Sequence, residues 1–406
     1  MKGYMYAIVR MLCIVAVIHP HTSAGTLYRI TGLGMLPGDT SSIAYGINDR
    51  GQVVGASRDA GGNNTLAGFL WDNGTMIDLG LYEGHSGIRP WDINNVGKIS
   101  GRALNGPGGS NYGVYYNGSE WLRAGWVGGT RGNAFGINDS NAVVGNMRLP
   151  SNDFSRGFVW TPEGGTIELP TLHPDDPTND VPSYNGYEGG SYAVGINTAG
   201  VVVGSSGLTD THGTDRAFRW SRSEGMVDLG TPASHGLAGL EEYTQSYAQK
   251  INDAGVIVGA ADRGPGLTRA VWWDTAGVLR DLGTFGGTSG VAYAVNNAGT
   301  IVGYSSLATG GDRAFVSYGG SSMIDLNTLL HRDSAGWTLL RAYDINKSGK
   351  IVGEGIFGGV RQGFIAAAVP EPSSLLLGVV GGTVGWVLFS RRRPNRSPRL
   401  RSQSQR

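Results

Sequence analysis

Carboxylates and tyrosines crowd two stretches of this chain. Residues 170–190 carry His173, Asp175, Asp176, Asp180, Tyr184, Tyr187 and Glu188, and residues 231–244 carry Glu241, Glu242 and Tyr243. That mixture suits sugar or cation binding. Aromatic faces stack on the apolar faces of sugar rings, and carboxylates accept hydrogen bonds from hydroxyls. Asp175 with Glu188 or Glu242 would also supply an acid and a base for glycan cleavage. A solvated acidic loop has the same composition. Sharper catalytic signatures are missing: the sequence holds no zinc-binding helix motif, no Gly-x-Ser-x-Gly elbow and no phosphate loop. His85, His173, His212, His235 and His331 share no metal-ligand spacing, and the single Cys13 lies near the N-terminus. Disulfides and thiolate metal sites are therefore excluded from the body of the chain. The expectation is binding without catalysis, with no cofactor and no metal. The alternatives are a carbohydrate-active lyase or hydrolase using the loop carboxylates, and a purely structural matrix protein.

The elements that must carry these loops are repeated. Ile47-Asn48, Ile93-Asn94, Ile137-Asn138, Ile196-Asn197, Ile251-Asn252, Val295-Asn296 and Ile345-Asn346 each open a similar block. A Gly follows three residues after the Asn in every block but the third, and a second Gly comes four residues later at 55, 101, 145, 204, 259, 303 and 353. The Asn residues are 44 to 59 positions apart, a spacing that fits propeller blades. Residues 247–283 show the unit: strand, Asn252-Asp253-Ala254-Gly255 turn, β-branched strand, Arg269 to Trp273, a second turn, and a last strand ending near Leu282. Asn48 and its equivalents are expected to cap these turns. The seventh block reaches Gly363 to Ala367 with no fourth strand after it, whereas Leu27 to Gly34 has the fourth-strand pattern and precedes the first block. The N-terminal strand is thus predicted to complete the last blade and remove a free edge. The fold predicted is all-β: a seven-bladed propeller of four-stranded antiparallel blades over 25–368, with about 49 residues per blade. In that fold both carboxylate-rich stretches link one blade to the next and share a face with the connections 58–66, 207–214 and 262–268.

Ala217-Phe218 and Ala314-Phe315, with Arg216 and Arg313 ahead of them, and the run Ala292 to Gly303 resemble the HAF family of bacterial extracellular repeats over almost all of residues 26–368. The family pattern has His where Arg216 and Arg313 stand. The resemblance implies a secreted propeller and leaves the activity open.

The ends read as export signals. Lys2 and Arg10, the apolar run Met11 to Ile18 and the small residues up to Ala24 form a signal peptide over 1–24, cut between Ala24 and Gly25. At the other end come Val369, Pro370, Glu371 and Pro372, then an apolar segment over 373–390, then Arg391, Arg392 and Arg393. This order resembles the PEP-CTERM sorting signal of Gram-negative bacteria over 369–393. It implies an exosortase-type protease as partner, membrane insertion through 373–390 before processing, and an envelope or extracellular location. The chain departs from that pattern by continuing through 394–406, an Arg- and Ser-rich tail read as disordered. Two basic residues precede Gly25 and seven follow Glu371, so the body keeps 23 basic against 31 acidic residues although the whole chain balances at 32 each. An acidic body argues against nucleic acid and leaves polysaccharide or an envelope protein as the expected partner.

Overall fold

Every repeat becomes a blade. The computed structural model describes residues 26–59, 66–125, 131–148, 155–172, 190–208, 215–264 and 266–370, in which Leu27–Val369 form one compact unit. It holds seven four-stranded antiparallel sheets. The inner strands are Asp39–Ile47, Gly87–Ile93, Arg131–Ile137, Ser191–Ile196, Gln245–Ile251, Gly286–Val295 and Trp337–Ile345. In six blades the four strands follow one another in chain order. In the seventh, Val360–Ala368 has the N-terminal strand Tyr28–Gly32 as its outer neighbour. The register runs from Tyr28 opposite Ala368 to Gly32 opposite Phe364, so the predicted closure of the ring by both ends of the body is what forms. The sequence expectations for 1–24, the Ala24/Gly25 cut, Glu371, Pro372, the 373–390 segment, Arg391 to Arg393 and the 394–406 tail fall outside the described residues. Val369, read as the start of the sorting signal, still belongs to the last sheet edge, where its N–H donates to the Leu27 carbonyl at 2.8 Å. Among the described residues no helix is long and apolar enough to cross a membrane.

The repeated residues explain themselves in packing. Each inner strand carries a bulge at the residue three before the motif Asn: Tyr45, Trp91, Phe135, Val194, Gln249, Tyr293 and Tyr343. A bulge bends its strand and shifts the local backbone. Here a Cβ at the second-strand Gly would run into a carbonyl of the bulged strand: Ile43 above Gly55, Asn133 above Gly145, Tyr192 above Gly204. Glycine is therefore required in the second strand by the bulge in the first. Beneath it lie the third-strand aromatics Phe69, Phe158, Phe218, Phe315 and Phe364, all without solvent exposure. The Ala-Phe pairs are core, not site. The third block, which lacks the turn glycine, has Asn141 there at φ 61°, a left-handed conformation that asparagine tolerates better than other side chains.

The motif asparagines do more than cap. Each side-chain oxygen accepts the backbone N–H four residues on, as predicted for a turn, for example Gln52 to Asn48 at 3.0 Å and Val201 to Asn197 at 2.9 Å. Each Nδ2 also donates to the backbone carbonyl of the next blade's asparagine. The sequence of donors runs Asn48 to Asn94, Asn94 to Asn138, Asn138 to Asn197, Asn197 to Asn252, Asn252 to Asn296, Asn296 to Asn346 and Asn346 back to Asn48, at 2.9–3.2 Å. This closed circle of buried amides joins all seven blades around the axis. The carbonyl and the amide of each side chain both have partners inside the fold, which makes these residues structural.

Candidate binding site in the axial channel

The bulges also build a site. An extra residue re-aims its neighbours, and the bulged side chains line a cavity of about 520 Å³ on the axis. Its wall is aromatic on five consecutive blades. Phe135 lies 5.9 Å from Trp91, Trp91 5.0 Å from Tyr45, Tyr45 5.5 Å from Tyr343 and Tyr343 5.1 Å from Tyr293, measured between ring centres. Tyr304 extends the arc, stacked on Tyr293 at 5.8 Å. These separations are ordinary for tilted or offset aromatic pairs. The remaining two blades contribute Val194 and Gln249. They are also the blades entered through the two long connections, 170–190 and 231–244.

The floor is ionic. One residue after each bulge, four blades carry Gly46, Gly136, Gly195 and Ala294, and three carry Asp92, Lys250 and Asp344. Small residues fit because the next blade is close: a Cβ on Gly136 would lie 2.7 Å from the Val194 carbonyl oxygen. The charged side chains fill the space left on the axis. Lys250 Nζ lies 3.0 Å from Asp344 Oδ1 and 3.4 Å from Asp92 Oδ1. Asp344 Oδ2 accepts the Ile47 N–H at 3.0 Å, and Asp92 Oδ1 accepts the Ile93 N–H at 2.9 Å. The three line both the aromatic cavity and a polar recess of about 160 Å³ bounded by the asparagine circle. They therefore plug the channel between its two ends.

Burial and the neighbouring Asp344 push the Asp92 carboxyl up to about 6, against the pull of Lys250 and two backbone N–H groups. For Lys250, burial disfavours the charge, but the two carboxylates outweigh it and raise the ammonium above its ordinary value. Burial raises the hydroxyls of Tyr45, Tyr293 and Tyr343, so all three stay protonated at ordinary pH and can donate. Tyr343 donates to Glu354 at 3.0 Å. Arg341 is held by Asp312 at 2.6 Å and lies over the Tyr304 ring at 4.5 Å. Arg89 lies over Trp91 at 5.1 Å. Trp91 Nε1 is a buried donor with no hydrogen-bond partner, at the cavity wall.

The residues singled out in the sequence lie elsewhere. His173, Asp175, Asp176, Asp180, Tyr184, Tyr187 and Glu188 fall outside the described residues, as does His212. In the second connection Tyr243 is not a surface residue; it is 8 % exposed and packs with Leu229, Ala248 and Trp273. The connection turns back on itself through Leu237 and Leu240, and apolar burial decides where the ring goes. Glu242 pairs with Arg263 at 2.6 Å on the surface. Glu241 accepts the Gly239 N–H at 3.1 Å, and such backbone bonds hold its carboxyl below the usual range. His85 and His235 bond to backbone carbonyls, and His331 accepts the Asp333 N–H as a turn cap. Among the described residues no His, Cys, Asp and Glu group is arranged to hold a metal ion. The axial residues are not among the sequence candidates, yet they are departures from the repeat. Their signal was plain at one position: glycine or alanine in four blocks, charge in three.

No family model matches the sequence, and no curated protein matches it. Solved structures match as scaffolds. One is the extracellular domain assigned to a one-component system of B. thetaiotaomicron, at TM-score 0.49 and 9 % identity, covering 84 % of this chain and 40 % of that one. The chain thus spans two fifths of that protein's length. A second is a gluconolactonase from Xanthomonas campestris, at TM-score 0.35 and 12 % identity over 73 % of this chain and 89 % of that one. A third is the Aleuria aurantia lectin with a bound fucosyl-N-acetylglucosamine, at TM-score 0.34 and 10 % identity over 63 % of this chain and 78 % of that one. None is similar enough in sequence to carry a residue's role across.

Proposed function

We propose that the protein is an exported, non-catalytic binding propeller that takes a segment of glycan into the axial cavity. The observation that carries this reading is the aromatic arc Phe135–Trp91–Tyr45–Tyr343–Tyr293, set above a polar, ionised floor. A sugar has apolar faces and a hydroxylated rim. Rings would stack on the faces while tyrosine hydroxyls, Gln249 and the floor carboxylates bond the rim. The site is rigid because each wall residue sits on a strand, so little ordering is lost on binding. Among the described carboxylates Asp344 is tied to Lys250 and Glu242 to Arg263 on the surface, which favours binding over catalysis; Asp175 and Glu188 lie outside the described residues. The sorting segment would deliver the propeller to the envelope or matrix through an exosortase-type protease. A glycan array and calorimetry test the reading. Binding without product release is expected, and Trp91→Ala should weaken it roughly tenfold or more, the worth of one stacked ring. Release of new reducing ends or unsaturated sugars would make the protein an enzyme, and unchanged affinity in Trp91→Ala would move the site off the axis.

A further inference from the structure

Resting on the glycan-binding reading, we propose that the bound sugar carries a free ammonium group, as an N-deacetylated amino sugar does, and sets it against Asp92. The floor holds two carboxylates and one ammonium, and these are the only ionised side chains that line the cavity among the described residues. With both carboxylates charged, one negative charge is left over.

The geometry says which carboxylate bears it. Asp344 is used on both oxygens at good distance, by Lys250 at 3.0 Å and by the Ile47 N–H at 3.0 Å. Asp92 has one good bond, from the Ile93 N–H at 2.9 Å. Its other contacts, Lys250 at 3.4 and 3.5 Å and the Ile137 N–H at 3.4 Å, sit at the limit of hydrogen bonding. Lys250 leans toward Asp344, and Asp92 keeps acceptor capacity. Burial, with Asp344 adding to it, raises the Asp92 carboxyl despite Lys250, which leaves a net penalty on its charge. A second cation would relieve it. The walls add to this preference, since the faces of Tyr45, Trp91, Phe135, Tyr293 and Tyr343 present negative quadrupole density that attracts an ammonium and repels an anion.

The charges behind the wall do not reverse the balance. Arg341 is matched by Asp312, with Glu354 at 3.8 Å, and Arg361 lies 3.3 Å from Glu354. Arg89 is the rival feature: it lies over Trp91 with an Nε that has no hydrogen-bond partner, and it would suit an acidic sugar. Arg89 does not line the cavity, whereas Asp92 does.

The test is calorimetry with four oligosaccharide probes near neutral pH: a glucosamine oligomer, its fully N-acetylated counterpart, a neutral glucan and a uronate oligomer. The free amine should bind roughly tenfold more tightly than the acetylated form, the worth of one charge-assisted hydrogen bond. Asp92→Asn should erase that ratio. Equal binding of the free and acetylated forms overturns the ammonium proposal and leaves the glycan reading standing. Tightest binding of the uronate overturns it in favour of Arg89. Binding of none of the four overturns both readings. Thermal unfolding checks that Asp92→Asn is folded, and if it is not, the two amine forms on the wild type decide alone.

Discussion

Residue 48 and its six counterparts are asparagine in every blade, whereas residue 46 and its counterparts are glycine three times, alanine once, aspartate twice and lysine once. The two positions are two residues apart, one on each inner strand and one just past its end, and both line the axis. The invariant one closes a circle of amide bonds that any blade can make with the next. The variable one makes a single arrangement that exists once in the molecule. A sevenfold scaffold can hold a singular site only where its symmetry is broken. In this protein the axial cavity and the two long connections are among those breaks.

Substitutions can test that contrast, and the largest effect should come from the singular position. Lys250→Met leaves two carboxylates facing each other with 15 % and 5 % side-chain exposure. It should cost about 3–5 kcal/mol in urea unfolding at neutral pH, with part of the loss returning in mild acid as one carboxylate takes a proton. Wild-type stability in Lys250→Met would mean that the floor ions do not hold one another.

Asp92 should give the next largest effect, and it depends on pH. Its carboxyl stands at about 6 in the fold against an ordinary 3.8, so folding favours the protonated acid. That contribution is full below about pH 4 and is lost as the pH rises through about 6. Relative to Asp92→Asn, the wild type should therefore gain up to about 3 kcal/mol between pH 7 and pH 4. Denaturant curves at the two values measure it, and parallel curves would contradict it.

The invariant position should be milder and uniform. Asn138→Ala removes a turn acceptor and one inter-blade donor, and about 1–2 kcal/mol should go. Asn252→Ala should cost nearly as much, because it makes the same bond to the next blade and to the N–H four residues on and lacks only a counterpart of the Ser140 N–H bond at 3.1 Å. A large difference between the two would show that the circle is not evenly loaded. The smallest effect belongs to Glu242→Ala, which breaks an ion pair whose side chains are 37 % and 75 % exposed. Unfolding should change by less than about 0.5 kcal/mol.

The fold was legible because a repeat exposes its own grammar. The spacing of Asn and Gly marked the inner hairpin, and the missing fourth strand after Ala367 pointed to Tyr28–Gly32. The capping by Asn48 was legible for the same reason, since its acceptor lies four residues away. Its second bond was not, because the Asn94 carbonyl is a neighbour only in the closed ring. The site was harder to read. Strand alternation assigns faces by counting in twos, and the bulge at Tyr45, Trp91 and their equivalents adds one residue to the count. That extra residue hid both the aromatic arc and the charges next to it. Acidic composition drew the sequence reading to the connections instead, where Tyr243 is core and Glu242 is paired on the surface.

The pairing of Tyr28 with Ala368 has a mechanical side. Leu27 and Val369 leave the propeller side by side, joined by one bond of 2.8 Å. Traction on these two residues is borne by this five-residue pair, which pulled from one end opens bond by bond like a zipper, and on the strand's other edge by the His331 N–H on the Tyr28 carbonyl and the Ile30 N–H on Ser334, both at 2.8 Å. Pulled from Leu27 and Val369, the ring would part at this clasp first, and the strain would pass to the sixth sheet through Tyr28 and Tyr318.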